Sequence, residues 1–231
     1  MKKLFVLIAM AGLAAMSWAD ETRQTTEDRL EHAGEVLHQV MATPDKGIPQ
    51  EVMDHAKCVA VVPHLIKGGF VFGAEGGRGV ATCRTGHGWS APAFFDVEGG
   101  SWGLQIGAEG IDLVMIIQND RGMQQLLGSK FQIGADASAA AGPVGRHASA
   151  DTDWKMNAEI LTYSRAKGIF GGLTLNGAAV HPDHDAMRAF YGSDVTTHDA
   201  LMGQVPPPHG SGAFLDAVRS AREQAHAAAE R

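Results

Sequence analysis

CVAVVPHLIKGGFVFGAEGGRGVATCR, residues 58–84, sets β-branched apolar runs between glycines. Residues 58–63 form a buried-strand run that Pro63 is expected to end, because proline has no N–H for a ladder. Residues 68–84 then read as one or two strands with a bulge, since glycine lets the backbone bend. The same texture continues through WSAPAFFDV, WGLQIGAEGIDLVMIIQ, KFQIGADASAAAG and GIFGGLTLNGAAV, as far as Val180. An apolar residue followed by glycine recurs at Phe72-Gly73, Ile106-Gly107, Ile133-Gly134 and Phe170-Gly171. The spacing is too uneven for a solenoid. It fits strands of one antiparallel sheet or barrel, interrupted by a helical insert over about Asn119–Leu127.

On the N-terminal side the period changes. Leu30, Ala33, Gly34, Leu37, Val40 and Met41 recur at three- and four-residue steps, which predicts a helix over 24–42 with Thr25 or Thr26 as its cap. A short helix should start near Pro49 and turn Val52, Met53 and Ala56 inward. On the C-terminal side, Ala186–Tyr191 reads as a helix ended by Gly192. Pro206-Pro207-Pro208 forms an extended joint, and Phe214–Arg231 a terminal helix. The expected fold class is therefore α+β: an antiparallel glycine-rich sheet or barrel-like core, with N-terminal helices and short helices packed against it. The expected domains are a leader at 1–19, one domain at 20–203, and a joint with a helical tail at 204–231.

The leader rests on Lys2 and Lys3, an apolar run from Leu4 to Met16, and small residues at Ser17 and Ala19. This is the pattern of a secretory signal peptide cleaved after Ala19, and the apolar run is too short to span a bilayer. A periplasmic or secreted protein, associated with a membrane, is the expectation. In that oxidising setting Cys58 and Cys83 fit one disulfide, the alternative being two buried thiols.

The whole chain carries 19 Lys and Arg against 26 Asp and Glu, a net charge of -7. Such a balance argues against nucleic acid as a partner, since phosphate binding there needs a basic face. Catalytic templates fail as well. GxSxG, the Walker lysine loop and HExxH are missing. His181-Pro182-Asp183-His184-Asp185 is the most metal-like cluster, but its spacing matches no common site, and acids before a short helix usually cap it. No enzyme activity, no cofactor and no metal are expected. The cations are distributed unevenly: Lys57, Lys67, Arg78 and Arg84 face only Glu75 within 57–84. Local potential, not net charge, governs encounter with anions.

Three blocks carry a resemblance: WSAPAFFDVEGGSWGLQIGAE (89–109), FQIGADASAAAGPVGR (131–146) and YSRAKGIFGGLTLNG (163–177), flanked by CVAVVPHLIKGGFVFG (58–73) and AFYG (189–192). In this order the chain resembles the SYLF domain family over about 57–203. That family is also described as an actin-binding, lipid-binding module in fungal proteins. The resemblance implies a single α+β domain that binds phospholipid, often phosphoinositides in eukaryotic members, with no established catalysis. It places headgroup-binding cations at Lys67, Arg146, Arg165 and Lys167, with Lys57, Arg78 and Arg84 as second choices. In relatives an N-terminal amphipathic helix aids insertion. Here Glu27, Asp28, Glu31 and Glu35 oppose docking on anionic lipid, so 24–42 is expected to pack on the core. The expected partner is an anionic phospholipid or membrane surface. The alternative is an envelope interaction protein with a protein partner.

Overall fold

The computed structural model describes residues 21–43, 47–69, 72–102, 107–144, 158–166, 169–172 and 177–230. The expected leader lies outside them. Helix α1 (Arg23–Met41) starts one turn before the expected cap. Thr22 is extended and its hydroxyl accepts from Thr25 N–H, while the Thr25 hydroxyl accepts from Thr22 N–H. This reciprocal box satisfies two of the orphan donors of the first turn. Of the expected apolar stripe, Leu30, Ala33, Gly34, Leu37 and Val40 are buried, and Met41 is partly so. Helix α2 (Gln50–His55) follows, with Pro49 at its N-cap.

Strand β1 (Cys58–Gly69) runs on through Pro63, contrary to the expected stop. It lies between β2 (Phe72–Thr85) and β5 (Gly107–Ile117). The register slips between Val61 and Ile66 on one side and between Val62 and Leu65 on the other. Both ladders therefore open at Pro63–His64, where proline's missing donor costs nothing. His64 takes a left-handed φ of 61° to make the bulge. Cys58 and Cys83 stand opposite each other in the β1–β2 register and are joined as a disulfide.

The remaining elements are β3 (Gly88–Trp89), β4 (Ala93–Trp102), α3 (Asp120–Leu127), β6 (Phe131–Gln132), β7 (Ala139–Ala141), β8 (Ile160–Ala166), β9 (Ile169–Gly172), β10 (Ala179–Pro182), α4 (His184–Tyr191), α5 (Thr197–Leu201) and α6 (Gly212–Ala229). The block at 130–142, expected as one strand, is broken by a turn at Gly134, φ 90°. Asp136 holds that turn by accepting Gln132 N–H at 2.8 Å. The sheet order is β6-β10-β4-β2-β1-β5-β8-β7, with β3 on β2 and β9 on β8. Pairing is antiparallel except between β7 and β8, so the curled half-barrel is mixed. Helices pack against it, which makes the fold α+β as expected.

Cross-strand register puts Phe94, Val80, Val61, Val114 and Tyr163 on one side of the sheet. There α1 and α4 cover them: Arg29 lies over the Phe94 ring, and Phe190 meets it edge-on. Helix α6 packs on α1 and α2 and buries Phe214, Leu215, Val218 and Ala221. The two long helices meet closely at Gly34, where a Cβ would stand 2.8 Å from the Ala213 carbonyl oxygen. On the other side of the sheet, Phe95 lies over its cross-strand partner Gly79, where a Cβ would fall 2.3 Å from the ring. Gly79→Ala should cost about 2 kcal/mol by overpacking, which is about 4–8 °C in Tm for a chain of this size. Thermal unfolding checks it; an unchanged Tm would mean that the Phe95 ring shifts freely. No helix among the described residues is long and apolar enough to cross a membrane.

Candidate functional site

The bulge in β1 has a consequence on the side of the sheet that α1 covers. Pro63 and His64 step out of the ladders, and a cleft of about 560 Å³ opens between them and α1. That volume falls within the range of small-molecule sites. The His64 ring sits against Gly110, where a Cβ would lie 2.6 Å away. Its backbone N–H donates to Asp112 Oδ1 at 3.2 Å. The other oxygen of Asp112 accepts from Arg165 Nη2 at 2.9 Å. One carboxylate thus fixes both the bulge and a guanidinium, and both β5–β8 partners are set by register, Asp112 opposite Arg165.

The sheet wall is completed by Arg78 on β2, which is 57% exposed. It donates to the carboxylate of Glu21 and lies 4.0 Å from Asp96, its cross-strand partner. The helix wall is built by the period of α1. Asp28, His32, Glu35 and Gln39 recur at four-, three- and four-residue steps and line the cleft. Asp28 accepts from Gln24 at 2.8 Å and Glu35 from Gln39 at 2.7 Å.

Beneath the cleft lies a buried charge cluster. Arg29, with 7% of its side chain exposed, donates to Glu21 at 2.7 Å and to Asp183 at 3.0 Å. Asp183 also caps α4 by accepting Ala186 N–H at 2.9 Å. Asp96 at the edge of this cluster is pushed up to about 6, first by burial and then by the charge of Asp183; His181, Arg29 and Arg78 pull it the other way. The metal-like cluster is dispersed by these roles. Asp183 is a cap and ion partner, and His181 faces Glu98 at 3.5 Å. Among the described residues no three His, Cys, Asp or Glu are placed to hold a metal ion.

Of the cations expected to meet headgroups, the cleft brings Arg78 and Arg165 together. Lys67 lies further along β1 and pairs with Glu75 at 2.8 Å. Lys57, just before β1, pairs with Asp120 at 3.0 Å. Arg84, near the same end, is partly buried. It donates to the carbonyls of Met53 and Ala56 and lies over the Trp89 ring. Burial and the nearby charge of Arg222 lower its pKa. Arg146 and Lys167 lie outside the described residues. Sequence reading missed Arg29, His64 and Asp112. The signal for His64 was Pro63 in mid-strand; Arg29 finds Asp183 across 154 residues and Asp112 finds Arg165 across 53, which no local pattern reveals.

Residues 98–221 match the family model described as "Ysc84: Las17-binding protein actin regulator". The chain is 36% identical over 167 residues to SH3 domain-containing YSC84-like protein 1 of Rattus norvegicus, which covers 71% of this chain and 49% of that protein. The Homo sapiens protein of the same name is 35% identical over 167 residues, 71% of this chain and 48% of its own. LAS seventeen-binding protein 3 of Saccharomyces cerevisiae is 34% identical over 170 residues, 71% of this chain and 36% of its own. The chain thus spans about half the length of the first of these relatives. The family match takes in more than half of the chain, from the middle of β4 to the middle of α6, and the chain belongs to the Ysc84 family, the SYLF family that its glycine-rich blocks resemble.

Proposed function

We propose that this chain is a non-enzymatic phospholipid-binding module of the bacterial envelope, and that the anionic phosphate of the headgroup enters the cleft between α1 and the sheet. The observation that carries the reading is the pair of guanidiniums, Arg78 and Arg165, on one wall of that cleft, 57% and 28% exposed. Guanidinium presents planar paired donors that match phosphate oxygens. Lys67 and Lys57, each held by a carboxylate outside the cleft, add long-range attraction only.

The double variant Arg78→Gln/Arg165→Gln should bind phospholipid vesicles about tenfold more weakly, equivalent to roughly 1.4 kcal/mol. Its Tm should stay close to the parent's, because such partly exposed pairs contribute about 0–1 kcal/mol each. Flotation with vesicles measures the first, calorimetry the second. Undiminished binding sinks the assignment of the cleft. A second reading, a protein partner at this surface, is favoured by the name of the yeast relative, a LAS seventeen-binding protein. It predicts no vesicle binding and a stoichiometric complex recovered from envelope extract.

A further inference from the structure

The two walls of the cleft carry opposite charge. Arg78 and Arg165 stand on the sheet, and Asp28 and Glu35 on α1. Each of these guanidiniums already has a carboxylate, Glu21 or Asp112. Asp28 and Glu35 make no ion pair among the described residues; each accepts only the amide of a glutamine on its own helix. Arg29, at the floor, is committed to buried acids. Three acids and three guanidiniums line this space, and the two acids without an ion pair among the described residues lie on a single wall.

We propose that the cleft selects a zwitterionic headgroup of the phosphoethanolamine type, with the phosphate against Arg78 and Arg165 and the ammonium against Asp28 and Glu35. The inference rests on the phospholipid reading above and names the lipid class. A headgroup with net negative charge places its excess charge before the acidic helix wall, where like charges repel. A zwitterion sets its ammonium before the unmatched acids and lets its phosphate share the guanidiniums with Glu21 and Asp112. The ammonium must also be primary. Carboxylates receive N–H donors, whereas a quaternary ammonium is recognised by aromatic faces. No Phe, Tyr or Trp lines the cleft among the described residues.

The experiment is flotation of the full chain with vesicles of phosphatidylcholine alone, or of phosphatidylcholine mixed with an equal fraction of phosphatidylethanolamine or phosphatidylglycerol. Soluble glycerophosphoethanolamine is titrated in a parallel arm. Phosphatidylethanolamine should raise capture about tenfold over phosphatidylcholine alone, a difference of roughly 1.4 kcal/mol. Asp28→Asn/Glu35→Gln should erase that preference with Tm unchanged, while Arg78→Gln/Arg165→Gln weakens capture by every composition. Glycerophosphoethanolamine should compete. Capture by phosphatidylglycerol with no gain from phosphatidylethanolamine overturns the selection and leaves the phospholipid reading standing. Binding of glycerophosphoethanolamine without vesicle capture overturns the lipid source in favour of a soluble ligand. No capture by any vesicle and no soluble binding overturns both readings.

Discussion

Arg29→Ala is expected to lose about 3–5 kcal/mol of stability at neutral pH, as removal of one partner from a buried ion cluster does. The side chain is 7% exposed and bridges Glu21 and Asp183, which are nearly as buried. Deleting it leaves Asp183 without its ion partner and Glu21 with Arg78 alone, loosens α1 from the cap of α4, and uncovers the Phe94 ring. Arg29→Met keeps the packing stem and should recover only a minor part, which separates charge from contact. The deficit should also depend on pH. Asp96 titrates near 6 in the folded chain, above its ordinary value, mainly through burial, and Arg29 is one of the charges holding it down. A carboxyl raised in the folded state binds more protons there than when unfolded. Its penalty is full above its folded pKa and fades as pH falls through about 6 toward 4. Without Arg29 the upward shift grows, so more is regained on acidification and the deficit narrows between pH 7 and pH 5. Denaturant titrations at both pH values measure this. A loss below 1 kcal/mol, or one that widens with acid, would show that the cluster does not hold α1 to α4.

The second large effect belongs to the disulfide. Cys58 and Cys83 are 25 residues apart, and the chain-entropy account assigns such a loop about 3 kcal/mol. Cys58→Ala/Cys83→Ala should lower the denaturation midpoint accordingly. The slope should rise, because an uncrosslinked unfolded chain exposes more surface. Both sulfurs are buried, so the variant also leaves a small cavity. Parent protein unfolded and refolded in reductant keeps the sulfur atoms, and the difference between the two measurements is the cavity's share. A variant as stable as the oxidised parent would mean that the β1–β2 hairpin persists in the unfolded chain.

How much of this was legible in the sequence follows from the range of each interaction. The α1 stripe is a local period, and spacing alone named most of its buried residues; Met41 is only partly buried, and Thr26, Arg29 and Val36 were not named among them. The α4 terminator Gly192, which takes the left-handed conformation, was named correctly, whereas the strand runs were placed but not bounded: β1 passes Pro63 and the 130–142 block is broken at Gly134. Pro63 misled because its cost is local whereas its remedy, a bulge shared by two ladders, is not. Helix α5 was missed although Thr196 and Asp199 form a capping box, since five residues show too little of a helical period. Arg78 and Arg165 were visible as cations, but their convergence depends on β2 and β8 lying three positions apart in the sheet with α1 laid across. The acidic side of the cleft was read as an obstacle to membrane docking; with the sheet in place, it becomes one half of a dipolar wall pair.

The clasp between the two ends of the chain also sets a folding order. Arg29 meets Asp183 across 154 residues, and Arg23 donates to the His209 carbonyl across 186. Helix α1, first of the described elements to leave the ribosome, has its buried face completed only by α4 and α6, which leave last. Such long-range closure slows folding, because the entropy of closing the loop is lost before the contacts form. The packing of α1 is therefore complete only once the final third of the chain is made, whatever helix it forms on its own before then.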